Sequence, residues 1–134
     1  MIVGIGTDII EIKRIKNALE KTEDSFLDRI FTEEEKAYFK KNNYNNQSIA
    51  GGFAAKEAVM KSLGTGLRGF SFTDIEIYRD DLGKPHVRLY NNAEKIAEDK
   101  GIKIIHLSIS HCKDYAIAYA TAENKIRGLR CRLK

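Results

Sequence analysis

The chemistry available to this sequence is concentrated in two carboxylates and a lysine: Asp8 in the stretch GIGTDI, and Glu57 with Lys61 one helical turn later in FAAKEAVMK. The apolar, β-branched run Met1 to Ile5 suits a buried strand, and Gly4 and Gly6 mark a tight exit from it. Asp8 then falls on a strand-to-helix elbow, where a lone aspartate reads as a helix N-cap. A dinucleotide turn is rejected, because G-x-G-x-x-G would need glycine where Ile9 stands and would bring a carboxylate against the phosphates. Glu57 lies among Phe53, Ala54, Ala58, Val59 and Met60, and as an isolated helix this segment would present Glu57 and Lys61 as a surface ion pair. Ala54 and Ala58, however, make a small-residue face that lets a second backbone or a ligand come close to Glu57. Gly64 and Gly66 serve either as a helix stop or as a phosphate cradle beside Lys61; no G-K-[ST] follows, so the loop is not a P-loop. His111, after SIS at a hairpin mouth, is either a surface residue or a phosphate donor, while His106 alternates into a strand as a structural or exposed residue.

The elements that must position these groups follow from periodicity. Ile12, Ile15 and Leu19 recur at helical spacing with Lys13, Arg14 and Lys16 on the wet side. Thr32 with Glu35 is a capping-box pattern, predicting a helix from about Glu33 to Lys41 before the asparagine-rich loop Asn42 to Asn46. Ser48 offers an N-cap for the helix that carries Glu57, and Gly64 ends it. Ile75 and Ile77, then Val87 and Leu89, alternate with polar neighbours around the turn residues Asp81, Gly83 and Pro85, predicting a hairpin. A short helix over Asn92 to Lys100 ends at Gly101, and a second hairpin closes through HCKD between Ile105–Ile109 and Tyr115–Tyr119. The fold class is α+β, read as a single domain over 1–134 with a basic tail from about residue 125.

At 134 residues and 43% hydrophobic composition the chain can bury a modest core without staples. A pocket for a large ligand is easier to build between such subunits than within one. The formal charge of +4, from 23 basic and 19 acidic residues, favours acidic partners without choosing among them. Cys112 and Cys131 lack metal-ligand spacing, and no signal-like or membrane-spanning run appears, so a soluble protein of the cytoplasm is expected.

Taken together, GIGTDIIEIKRI at 4–15, FTEEEKAYF at 31–39, FAAKEAVMKSLGTG at 53–66, GKP at 83–85 and LSISHCKDYAIAYA at 107–120 resemble, in order and across nearly the whole chain, the signature blocks of bacterial holo-acyl-carrier-protein synthases. The resemblance implies a 4′-phosphopantetheinyl transferase fold and a homotrimer with active sites at the subunit interfaces. It implies Mg²⁺ held by Asp8 and Glu57, with coenzyme A donating phosphopantetheine to a serine of apo acyl carrier protein. Asp8, Glu57 and Lys61 would be the catalytic group, with Glu57 or a water it orients on the metal taking the serine proton. Lys61, the loop Gly64, Thr65 and Gly66, and the pairs Lys84–Pro85 and Ser110–His111 would bind the cofactor, and Arg14, with Lys13 and Arg29, would receive the acidic carrier. Two carboxylates suit Mg²⁺, a hard ion that takes one or two of them plus phosphate oxygens and keeps several waters. The chain departs from the family at Gly52, where arginine is familiar, and at Cys112, where threonine or serine is usual.

Two other readings remain open on the sequence. A small basic nucleic-acid-binding module would use the first helix and the tail RGLRCRLK, but acidic residues Glu11, Glu20, Glu23 and Asp24 interrupt that surface and no RNA-reading aromatic motif is present. A non-catalytic trimeric scaffold would keep the fold and not the reaction; intact Asp8, Glu57 and Lys61 argue against it.

Overall fold

The structure, a computed structural model, describes residues 1–66 and 68–124, without the side chain of Glu23. The tail from 125 and Cys131 lie outside the described residues. The elements run β1 (Ile2–Glu11), α1 (Ile12–Ile30), α2 (Glu33–Lys41), α3 (Asn46–Leu63), a 3₁₀ turn (Phe72–Asp74), β2 (Ile75–Arg79), β3 (Pro85–Leu89), α4 (Asn91–Asp99), β4 (Ile104–His111) and β5 (Tyr115–Glu123). An antiparallel sheet in the order β1-β5-β4 forms one layer, and the β2-β3 hairpin makes a second, two-stranded sheet. The α+β arrangement of antiparallel hairpins packed on helices agrees with the sequence expectation.

β1 differs from expectation in length and in burial. It runs on through Gly4, Gly6 and Asp8 to Glu11, paired with β5 from Ile2↔Glu123 to Glu11↔Tyr115. Asp8 therefore stands inside a strand and caps no helix; α1 starts after Glu11, which makes no side-chain cap bond. The strand is half-buried, because only its even-numbered side is covered by α3, while Val3, Ile5 and Ile9 on the other side are exposed. A run of β-branched residues does not reveal which face is covered.

The reason the glycines are there is close approach. A Cβ on Gly4 would overlap the carbonyl oxygen of Ser62, and one on Gly6 would overlap that of Ala58. Two residues of strand cover about 6.6 Å and four residues of helix about 6 Å, so the rungs Gly4–Ser62 and Gly6–Ala58 stay in step. β5 extends the same smooth surface: Ala116, Ala118, Ala120 and Ala122 are all buried on the face toward the helix. From α3 itself, Ala54, Ala55 and Ala58 have no exposed surface.

α2 has its capping box, with Thr32 accepting from the Glu35 N–H and the Glu35 carboxylate accepting from the Thr32 N–H. α3 starts earlier than expected: Asn45, not Ser48, is the N-cap, its Oδ1 accepting from the Gln47 and Ser48 N–H groups. Gly64 ends α3 in the left-handed region at φ 78°, where a residue without Cβ is least strained. A second apolar cluster joins Ile12, Ile15, Leu27 and Ile30 of α1 to Phe31, Phe39 and Ile49, with Phe31 and Phe39 edge to face at 4.8 Å.

Candidate active site

Asp8, two residues beyond Gly6 on the same strand, lies within electrostatic reach of Glu57 on α3. Lys61, one turn on, reaches back to the strand: its Nζ lies 3.5 Å from Asp8 Oδ1 and donates to the Thr7 carbonyl at 2.9 Å. The ion pair expected between Glu57 and Lys61 is thus replaced by one between Lys61 and Asp8, because β1 packs where an isolated helix would face water. Burial pushes the Asp8 carboxyl above its usual range, opposed by Lys61. Glu57 is also pushed up, first by burial and then by the negative charge of Asp8, with Lys61 opposing. The two carboxylates, 49 residues apart in sequence (57 − 8), therefore feel one another across the strand–helix contact. A single lysine cannot balance both.

This donor set fits a hard divalent cation: two adjacent, half-buried oxygen ligands with mutual repulsion to relieve and an open side toward solvent. Among the described residues no cluster of three or more His, Cys, Asp or Glu groups forms a metal site. A closed all-protein cage is not what Mg²⁺ needs, since substrate phosphates and water supply its remaining ligands.

The other predicted residues are brought together only in part. Gly64 follows Lys61 at the end of α3, and the two line a cleft with Gly4, Ile5 and Lys100; the Lys100 ammonium donates to the Leu63 carbonyl, holding the helix end. In the adjoining loop Thr65 Oγ donates to the Gly66 carbonyl at 3.1 Å. His111 pairs with Ala116 and Asp8 with Ala118, so both lie on the helix-facing side of the sheet, two strands across and two residues along, about 12 Å apart. Ser110 pairs with Ile117 and so belongs to the opposite face. Lys84 and Pro85 line a separate groove with His86, Arg88 and residues of α4 and β4. Their turn is held by Asp80, which accepts from the Lys84 N–H at 3.0 Å and meets His86 Nε2 at 2.9 Å. The expected pairing of Ser110 with His111 on one ligand therefore needs more than one face of this chain. Cys112 is an exposed free thiol next to His111.

Lys13, Arg14 and Arg29 are exposed on α1, and Arg14 approaches Glu11 at 4.0 Å. Gly52 is buried, and a Cβ there would meet the Phe39 and Phe31 rings at 3.2 and 3.3 Å. A side chain at this position would require those rings to give by a few tenths of an ångström.

The sequence reading missed the most buried polar group. Lys56 has no exposed surface, and its ammonium pairs with Glu35 Oε1 at 2.7 Å and donates to the carbonyls of Phe72, at 3.0 Å, and Ile75. Glu76, also buried, accepts from Thr32 Oγ, Arg88 and Tyr90. The available signal was a lysine inside an otherwise apolar helical run, beside the glutamate that drew attention.

The fold of this chain is shared with known proteins. A family model described as the 4′-phosphopantetheinyl transferase superfamily matches residues 4–120, and the chain belongs to that superfamily. Within it, the chain is 56% identical over 126 residues to a holo-[acyl-carrier-protein] synthase of Clostridium tetani, covering 93% of this chain and 98% of the relative. The crystal structure of the holo-[acyl-carrier-protein] synthase from Neisseria meningitidis superposes with a TM-score of 0.86 at 42% identity, covering 92% of this chain and 99% of that one. That of Bacillus anthracis, in complex with CoA (3′,5′-ADP), gives 0.77 at 42% identity over 93% and 99% of the two chains.

Proposed function

We propose that this chain is a holo-[acyl-carrier-protein] synthase: it transfers the 4′-phosphopantetheine arm of coenzyme A to a serine of apo acyl carrier protein, releasing adenosine 3′,5′-bisphosphate. The observation that carries the reading is the meeting of Asp8, Glu57 and Lys61 across the Gly6–Ala58 contact. Asp8 and Glu57 would hold Mg²⁺. That ion would supply charge neutralisation at the pyrophosphate. Lys61, now shared by Asp8 and the Thr7 carbonyl, turns to the phosphates and keeps them against the two carboxylates. The serine oxygen forms the new P–O bond as the bond to the departing bisphosphate breaks, and the serine proton passes to Glu57 or to a water that Glu57 orients. The Gly64–Thr65–Gly66 loop and His111 hold the nucleotide, with Lys84, Pro85 and Ser110 contributing from their own faces. Arg14, with Lys13 and Arg29, steers the acidic carrier.

Working as a homotrimer with interfacial sites is supported by the outer face of the β1-β5-β4 sheet. Ile5, Ile9, Tyr115, Ile117 and Tyr119 stand 42–62% exposed there, an apolar surface that a solitary subunit would leave in water. Ser110 opens on that same side, where a neighbouring subunit would complete its surroundings. No helix among the described residues is long and apolar enough to cross a membrane, and we place the single catalytic domain, 1–134, in the cytoplasm with its substrates.

The test is incubation with coenzyme A, Mg²⁺ and apo acyl carrier protein, followed by intact mass of the carrier. A gain equal to phosphopantetheine, abolished by chelator, is expected; an unchanged carrier that a known synthase can still load would overturn the assignment. Light scattering on the same sample should give three times the chain mass, and Ile117→Asp should lower it to one.

A further inference from the structure

We infer that Lys56 is a positioning residue: pinned to Glu35 and to the carbonyls of Phe72 and Ile75, it fixes the rotation of α3 that presents Glu57 to Asp8. The inference rests on the reading of Asp8 and Glu57 as the metal-holding pair. Its starting point is how smooth the α3 contact is. Helices usually keep their rotation because large side chains interdigitate with the surface beneath. On its sheet face α3 lays Ala54, Ala55 and Ala58 on glycines of β1 and alanines of β5, which supply few knobs and few holes, while its larger buried side chains Ile49, Val59, Met60 and Leu63 pack into the apolar clusters. Successive residues are about 100° apart on a helix, so a turn of a few tens of degrees would swing Glu57 off Asp8 with little steric resistance from this face.

Lys56, the residue before Glu57, supplies what the alanines do not. All three of its N–H bonds have acceptors: Glu35 Oε1 at 2.7 Å, the Phe72 carbonyl at 3.0 Å and the Ile75 carbonyl. Glu35 is itself fixed, accepting from the Thr32 N–H at 2.8 Å and the Ile77 N–H at 2.9 Å. α3 is thereby tied to the start of α2 and to β2. Stability alone is a poor reason to bury a lysine where a methionine would fit, because an apolar replacement of a buried ion pair is often neutral or stabilising. Directional bonds to fixed carbonyls specify an orientation that methionine could not.

The experiment compares the wild-type chain, Lys56→Met/Glu35→Gln, which removes both charges, and Leu107→Ala, which opens a core cavity and removes none of the anchor's hydrogen bonds. With coenzyme A present, binding of Mn²⁺ is followed by electron paramagnetic resonance, beside circular dichroism and thermal melting. The expected result is a Mn²⁺ half-saturation raised roughly tenfold or more in the double variant, in the range found when support of a metal ligand is lost, with helical content kept. Leu107→Ala should lower the melting temperature and leave half-saturation at the wild-type value. Equal Mn²⁺ binding by the wild type and a folded double variant overturns the inference alone, as does an equal rise in Leu107→Ala. No Mn²⁺ binding by wild type overturns the metal reading and this inference together. If the double variant does not fold, Glu35→Gln alone is read in the same way: a rise of roughly threefold supports the anchor, and an unchanged value overturns it.

Discussion

Lys56 and Glu57 are neighbours in sequence and opposites in circumstance. Lys56 is sealed in, with every donor matched, while Glu57 is half-buried beside another carboxylate and short of positive charge. Both pay desolvation, which lowers the lysine and raises the glutamate from their usual values. What separates them is compensation. Glu35 opposes that loss for Lys56 and two carbonyls accept its other N–H groups, whereas Asp8 adds to the burden on Glu57. A polar group whose partners are complete belongs to the architecture; one left incomplete and partly open to solvent is available to a ligand.

The largest break in this comparison is to empty the unsatisfied side. Asp8→Ala and Glu57→Ala should each lower transfer by roughly a thousandfold, about 4 kcal/mol of transition-state stabilisation, while the melting temperature stays near wild type, because neither removes a core contact. Steady-state transfer assays at saturating Mg²⁺ check it, and near-native turnover in either variant would remove the two-carboxylate site. The complementary break empties the satisfied side: Glu35→Ala leaves Lys56 charged and buried without its counter-ion and should cost roughly 3 kcal/mol of folding stability in urea titration. A loss below about 1 kcal/mol would mean the ammonium reaches water or deprotonates at little cost.

Gly6→Ala acts on the contact that joins the two sides. Its Cβ must push against the Ala58 carbonyl, a backbone atom that moves only with the helix. Overpacking of this kind should cost about 1–3 kcal/mol and, by separating Asp8 from α3, should weaken Mg²⁺ dependence more than the stability loss explains. Measured together, denaturation and metal titration separate those effects; a stable variant with normal metal response would show that the close approach is dispensable.

How much of this was legible in the sequence follows the same division. Features fixed by local rules could be read: the Thr32–Glu35 capping box, the Gly64 stop, and both hairpins with their turns. Features fixed by what packs on top could not. The glycines of β1 look like the exit from a short, buried strand, when they are the floor on which α3 lies. The same glycines make Asp8 look like an elbow residue, and the packing of β1 on α3 replaces the Glu57–Lys61 pair with Lys61–Asp8. Glu35 was recognised as a capping residue, yet its bond to Lys56, 21 residues away (56 − 35), has no local sequence signal. Asp8 and Glu57 themselves were found through resemblance of whole blocks, since one carboxylate on a strand and one on a helix have ordinary structural explanations until they are seen to meet.

The smallest expected effect has the opposite sign. Glu57→Gln keeps the shape of the side chain and removes the charge that burial and Asp8 both oppose, so without metal it should be neutral or more stable than wild type by up to about 0.5 kcal/mol, the scale of a partly exposed charge pair. Mg²⁺ with coenzyme A should reverse the order, because a ligand that binds only the folded wild type adds stability according to its concentration over its dissociation constant. Paired thermal melts with and without Mg²⁺ and coenzyme A read both halves. If Glu57→Gln is clearly less stable than wild type without metal, the glutamate already has a partner within the protein, and the contrast with Lys56 loses its basis.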